Sequence, residues 1–161
     1  MSIQAEHKEW LDLVFPGQRP RLPATVMLEE AGELLQAISK REQSAQFGED
    51  GRFVGTDWAA EILDAIGDCG IAFCSLCNTV SWDFAEAMCT TDAAELSLDD
   101  PLFVAVDLLT TAASIVVEPY SYPLALRYVE LLKAAALCVD VDLEKAVEVT
   151  WKKVKSRRRG K

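Results

Sequence analysis

The sequence predicts an all-α fold, an antiparallel helical bundle, and three observations carry that prediction. Apolar residues recur at three- and four-residue spacing along most of the 161-residue chain. Proline and the capping residues Asp and Ser fall mostly between those stretches. Strand signals are weak, because the β-branched run Ser114–Val117 is too short to support a sheet.

Taken in order, Ala5–Phe15 reads as a short amphipathic helix with Trp10, Leu11, Val14 and Phe15 toward its apolar side. His7 is placed on its surface. Pro16-Gly17 ends it, and Pro20 and Pro23 mark a connection. Thr25–Glu42 is the first long helix. Ser44–Thr56, with Gly48, Gly51 and Gly55, reads as a flexible loop. Asp57 is the N-cap of a second long helix to about Thr79. Either Ser81 or Asp83 starts a shorter helix through Met88, and Thr90–Pro101 is an acidic linker. Leu102–Val117 and Leu124–Val139 are helices joined by a turn at Glu118–Pro123. Either Asp140 or Asp142 caps the last, which runs to about Arg158. Short connections between such helices give antiparallel neighbours.

The chain is half hydrophobic and 26% charged, which suits one globular domain with a substantial core. No apolar run reaches membrane-spanning length, because Asp64, Asp68, Asp107 and Glu130 interrupt the richest stretches. Met1–Glu9 is polar and has no signal-peptide core, so a cytoplasmic protein is expected. Cys69, Cys74, Cys77, Cys89 and Cys138 sit mostly in apolar helical stretches, as reduced core thiols do. A zinc site at Cys74-x-x-Cys77 would need two more ligands, and His7 is the sole histidine.

The net charge of −10 conceals an asymmetry. Seven of the 16 basic residues lie in 152–161, which leaves residues 1–151 with nine basic against 26 acidic side chains. Nucleic acid is not expected on so acidic a body. The basic end, Lys152–Lys161, is either a solvated helix terminus or a contact for nucleic acid or for a phosphate held near the acidic faces. A weak internal repeat at an offset of 61 residues lays Leu76–Ala85 over Leu137–Ala146, which suggests a degenerate second helical half.

Two acidic clusters carry the chemistry. Glu29-Glu30-Ala31-Gly32-Glu33 places Glu30 and Glu33 on one helix face. Glu61, Asp64 and Asp68, at i, i+3 and i+7, form a stripe on the next helix. Like charges one turn apart repel by a few tenths of a kcal/mol, roughly. Divalent cations with hard oxygen ligands relieve that repulsion, and Mg²⁺ is the usual choice beside phosphates.

At these clusters the chain resembles the MazG-like family of all-α nucleoside triphosphate pyrophosphohydrolases, whose relatives include dCTP pyrophosphatases and dimeric dUTPases. The family pattern is Glu-Glu-x-x-Glu, a variable loop, then Glu-x-x-Asp. Glu29–Glu33 fits the first half and Glu61-Ile62-Leu63-Asp64 the second. Pro20-Arg21, Asp64-Ala65-Ile66-Gly67-Asp68 and the basic end Lys152–Lys161 are also similar to the family. The likeness covers about residues 18–88 and 142–161, in a single domain 1–161 whose metal-binding half is 18–88 and whose degenerate half is 102–158. The acid that the family's Gly-Asp form carries three residues before Asp68 is here Ala65. The second ligand pair is therefore either Glu61/Asp64 or Asp64/Asp68.

The resemblance implies hydrolysis of a nucleoside triphosphate, a dNTP in a house-cleaning or pool-control role, to the monophosphate and pyrophosphate. It implies Mg²⁺, with Mn²⁺ able to substitute, held by Glu30, Glu33, Glu61, Asp64 and Asp68. Glu29 or Glu33 is the candidate proton acceptor, since a carboxylate among others has a raised pKa. Arg21, Lys152, Lys155 and Arg157 are candidate substrate contacts, and Phe53 and Trp58, with Trp10, are candidates to stack on a base. Relatives dimerise, so a homo-oligomer is expected unless the repeat replaces the second subunit. The alternative is a non-catalytic helical module that senses nucleotide or binds a protein.

Overall fold

The computed structural model describes residues 2–47, 56–91 and 100–157, and every regular element among them is helical. The helices are α1 (Ile3–Val14), α2 (Arg21–Phe47), α3 (Trp58–Val80), α4 (Phe84–Thr90), α5 (Pro101–Val117), α6 (Tyr122–Cys138) and α7 (Leu143–Arg157). None among the described residues is long and apolar enough to cross a membrane.

Most boundaries follow from caps. The Asp57 carboxylate accepts from the Ala60 N–H at 3.1 Å and starts α3. Asp83, not Ser81, caps α4, accepting from Glu86 N at 2.9 Å. Ser81 instead ends α3 in the left-handed region at φ 63°. Asp142 caps α7 through Lys145 N, while Asp140 takes the positive-φ position of the preceding turn. Asp100 accepts from the N–H groups of Leu102 and Phe103 ahead of Pro101.

Helix α2 corrects the expected boundaries at both ends. Pro20 lies in the connection after α1, as expected, but Pro23 falls in the first turn of α2, where a missing N–H goes unmissed. Ser44–Phe47, expected in a loop, continue it, and the rest of that loop, 48–55, lies outside the described residues.

Helix α2 packs on α3 and on α5, α5 packs on α6, and α6 returns to α3, closing a four-helix ring. Residues 102–138 thus lie against the helices of the first acidic half. Met27, Leu34 and Ile38 of α2 and Ile62, Ile66, Phe73 and Leu76 of α3 are fully buried in it, as are Leu108, Ile115, Tyr128 and Leu132. Each such side chain contributes about 1.5–3 kcal/mol.

Helix α7 lies outside the ring, against α3. The contact depends on two glycines. A Cβ on Gly67 would collide with the Thr150 hydroxyl and lie 2.7 Å from the Ala146 carbonyl; one on Gly70 would collide with Val147. Gly32 is different, since a Cβ there would meet only Leu109, at an ordinary 3.9 Å.

His7 is buried rather than at the surface. Its Nδ1 lies 3.1 Å from the Asn78 amide nitrogen, a donor, so Nδ1 accepts. That assigns the proton to Nε2, which lies 3.3 Å from Ser75 Oγ. Trp10 stacks on the ring and Trp151 of α7 meets it edge-on at 5.0 Å. Burial lowers the His7 pKa to about 4, and a second proton would also confront the Asn78 amino group. The residue therefore pins α1 and α7 to α3 in its neutral form.

Two predictions follow from this packing. Gly67→Ala should destabilise the fold by roughly 1–3 kcal/mol or more through overpacking, whereas Gly32→Ala should be neutral or stabilising by up to about 1 kcal/mol. Urea unfolding of both decides it, and equal effects would contradict the contact. For His7, the unfolded chain holds a proton between pH 6.5 and about 4 that the native state lacks. Its contribution is therefore complete above pH 6.5 and is lost as pH falls toward 4, up to about 3 kcal/mol. The stability gap between wild type and His7→Gln should shrink over that window, and a pH-independent gap would count against it.

Candidate metal and phosphate site

The acidic residues come together because of what lies beneath them. Ala24, Met27, Ala31, Leu34 and Ile38 form the buried stripe of α2, and Ile62, Ile66, Cys69 and Phe73 that of α3. Pairing these stripes sets their polar flanks edge to edge along the seam. There an open cleft of about 340 Å³ is lined by Glu33, Gln36, Ala37 and Lys40 of α2 and by Glu61, Asp64, Ala65 and Asp68 of α3. Ala37 and Ala65, both buried, leave the room.

Glu30 sits half-buried beside this cleft. Its pKa is raised to about 7, first by burial, then by Asp68, Glu33, Glu29 and Asp64. Asp68 outranks Asp64 in that order, which fits an antiparallel α2–α3 pair. Like charges from both helices thus meet around Glu30.

Cations do reach the rim. Lys153 Nζ of α7 donates to Asp64 Oδ1 at 2.6 Å. Both partners are more than a third exposed, so the pair contributes roughly 0–1 kcal/mol and can exchange. Lys40 donates to Gln36 Oε1 at 2.9 Å.

Glu29, Arg21, Trp58, Lys152 and Lys155 are not among the described residues that line the cleft. Glu29 is exposed on α2. Arg21 opens that helix 12 residues before Glu33, about 18 Å along its axis. Trp58 is half-buried on the first turn of α3. Lys152 pairs with Glu148, and Lys155 with Glu6, which also accepts from Trp151 Nε1 at 3.1 Å. Arg157 ends α7, and Phe53 lies outside the described residues. Gln36, Lys40 and Lys153 were not expected. The first two continue the Glu33 side of α2 at helical spacing, a signal readable in the sequence. Lys153 depends on where α7 docks, which no local pattern encodes.

The cysteines stay free; Cys69, Cys74 and Cys77 are buried. Burial pushes the Cys74 thiol up to about 12, which keeps it protonated and unreactive.

The donor set is all carboxylate oxygen, the chemistry that suits Mg²⁺ or Mn²⁺. Among the described residues the side chains are not drawn into a ready group of three or more ligands. Searches against family models, curated proteins and solved structures return no match for this chain.

The Glu30 environment has a testable consequence. Its raised pKa costs nothing below pH 4.5 and weakens the fold progressively as pH rises to about 7. Glu30→Gln should therefore stabilise the protein at pH 8 by about 1–2 kcal/mol, after discounting for water around a half-exposed group. It should have little effect at pH 4. Chemical denaturation at both values checks this, and destabilisation at pH 8 would contradict it.

Proposed function

We propose that the protein is a Mg²⁺-dependent nucleoside triphosphate pyrophosphohydrolase acting on a dNTP or NTP. The observation that supports this most is the cleft itself: four carboxylates from two helices around one open space, with Glu30 raised behind them. The motif likeness at Glu29–Glu33 and Glu61–Asp64 supports the same reading. Glu33, Glu61, Asp64 and Asp68, with Glu30, would hold the cation. When bound, it would neutralise phosphate oxygens and lower the pKa of an attacking water.

The chain's own residues do the rest. Glu33 lines the cleft and takes the proton of the attacking water, a role its position suits better than that of Glu29. The anhydride between the α- and β-phosphates breaks, and pyrophosphate leaves with the bridging oxygen. Phosphoryl transfer asks mainly for positioning and charge. Lys153 supplies a cation at the rim by giving up Asp64, and Lys40 supplies another. Lys152 and Lys155, engaged with Glu148 and Glu6, are second to Lys153 in this role.

A panel of dNTPs and NTPs with Mg²⁺, with pyrophosphate and orthophosphate measured separately, tests the proposal. Equimolar monophosphate and pyrophosphate are expected, abolished by chelation and restored by Mg²⁺ or Mn²⁺. Glu33→Gln and Asp64→Asn should each lower kcat by about 100-fold or more while the chain stays folded. Lys153→Ala should raise KM roughly tenfold, or about 1.4 kcal/mol. Failure to turn over any nucleotide, or wild-type rates in the two carboxylate variants, would overturn the reading.

A further inference from the structure

The interior holds a hydroxyl that packing alone does not explain. Tyr128 of α6 is fully buried, and its hydroxyl finds no hydrogen-bond partner among the described residues. Such a group costs free energy, and phenylalanine would fill the same space without that cost. The ring is stacked on Phe73 of α3, with 5.9 Å between centroids. Phe73 lies one turn beyond Cys69, and Cys69 directly follows Asp68 of the acidic stripe. The polar groups that act on the hydroxyl are the Cys69 thiol and the Glu30 carboxyl of α2. Glu30 acts on Cys69 as well, as do Asp68 and Glu33. The Tyr128 hydroxyl therefore sits behind the seam, on the core side of the carboxylates.

We propose that Tyr128 is a positioning residue of the cation site: its hydroxyl donates to the Glu30 carboxylate from the core side and fixes the orientation in which that carboxylate serves as a ligand. Two arguments select Glu30 as the acceptor. The first is chemistry. A thiol sulfur is a weak acceptor, whereas a carboxylate oxygen is a strong one. The second is supply. The charges that act on Glu30 are those of Asp68, Glu33, Glu29 and Asp64, acceptors all. The cations at the rim are engaged elsewhere, Lys153 with Asp64 and Lys40 with Gln36. A donor for Glu30 thus comes from the core rather than from the seam. Carboxylates that hold a metal are themselves commonly held by such a donor, which sets their direction and basicity.

This inference rests on the cation site proposed above, and not on which nucleotide is hydrolysed. Mn²⁺ binding to the full chain without nucleotide, followed by loss of the free ion's electron paramagnetic resonance signal, tests it. Tyr128→Phe should weaken Mn²⁺ binding by about 10-fold or more. Its urea midpoint without metal should stay at or above the wild-type value, because the hydroxyl has no partner to lose. Tyr122→Phe, the same change on the same helix beside Trp82, should leave Mn²⁺ affinity unchanged.

A Glu30→Gln background separates positioning from packing. There Tyr128→Phe should alter Mn²⁺ binding by the four remaining carboxylates less than about twofold, because the residue it acts through is gone. A Tyr128→Phe chain that binds Mn²⁺ as tightly as wild type, one whose metal-free midpoint falls, or one that loses the same affinity in both backgrounds would overturn the proposal. A wild type that binds no Mn²⁺ would overturn the cation site and this inference with it. The expected pattern in a chain that turns over no nucleotide would uphold the role of Tyr128 and overturn only the proposed activity.

Discussion

The structure is governed by a conflict along one seam. The buried stripes of α2 and α3 pair with each other, and that pairing sets carboxylates on both helices edge to edge. Hydrophobic burial wins easily. A handful of fully buried Leu, Ile, Met and Phe side chains outweighs several surface repulsions of a few tenths of a kcal/mol each, roughly. The loser is visible in Glu30, half-buried among Asp68, Glu33, Glu29 and Asp64 and pushed up to about 7. A fold selected for stability alone has simple remedies there, such as a lysine in place of one acid. Keeping the strain is what the proposed cation site would require.

Helix α7 is the second half of the arrangement. Because Gly67 and Gly70 carry no side chain, Thr150 and Val147 come down onto α3. That docking fixes where the rest of the helix lands. Trp151 reaches His7 and Glu6 on one side, and Lys153 reaches Asp64 on the other. One close approach thus joins α1, α3 and α7 and delivers an exchangeable cation to the acidic rim. Gly67 stands between Asp64 and Asp68, so the residue that admits α7 lies within the acidic stripe itself.

The helical character was readable from spacing, and the caps at Asp57 and Asp83 from residue type. The two acidic flanks were also readable, because helical periodicity places Glu30 and Glu33, and Glu61, Asp64 and Asp68, on common faces. His7 was misplaced although the signal existed: it lies four residues before Leu11 and seven before Val14, on the same side as both. Its polarity argued for the surface, and only the neighbouring Asn78 and Ser75 of α3 make burial tolerable. The start of α2 lies four residues before Thr25, because Pro23, which suits a connection, also suits the first turn of a helix. The assignment of Lys153 to the rim, and of the Tyr128 hydroxyl to the core side of the seam, depends on tertiary docking and has no local signature.

The most direct measurement is a titration of the protein with Mn²⁺, followed by paramagnetic broadening of backbone amide resonances. If the seam between α2 and α3 is a cation site, amides in 30–37 and 61–68 should broaden first, at substoichiometric metal, and excess Mg²⁺ should reverse the effect. Broadening spread evenly over exposed acids such as Glu9, Asp12 and Glu118, or none along the seam, would contradict the account.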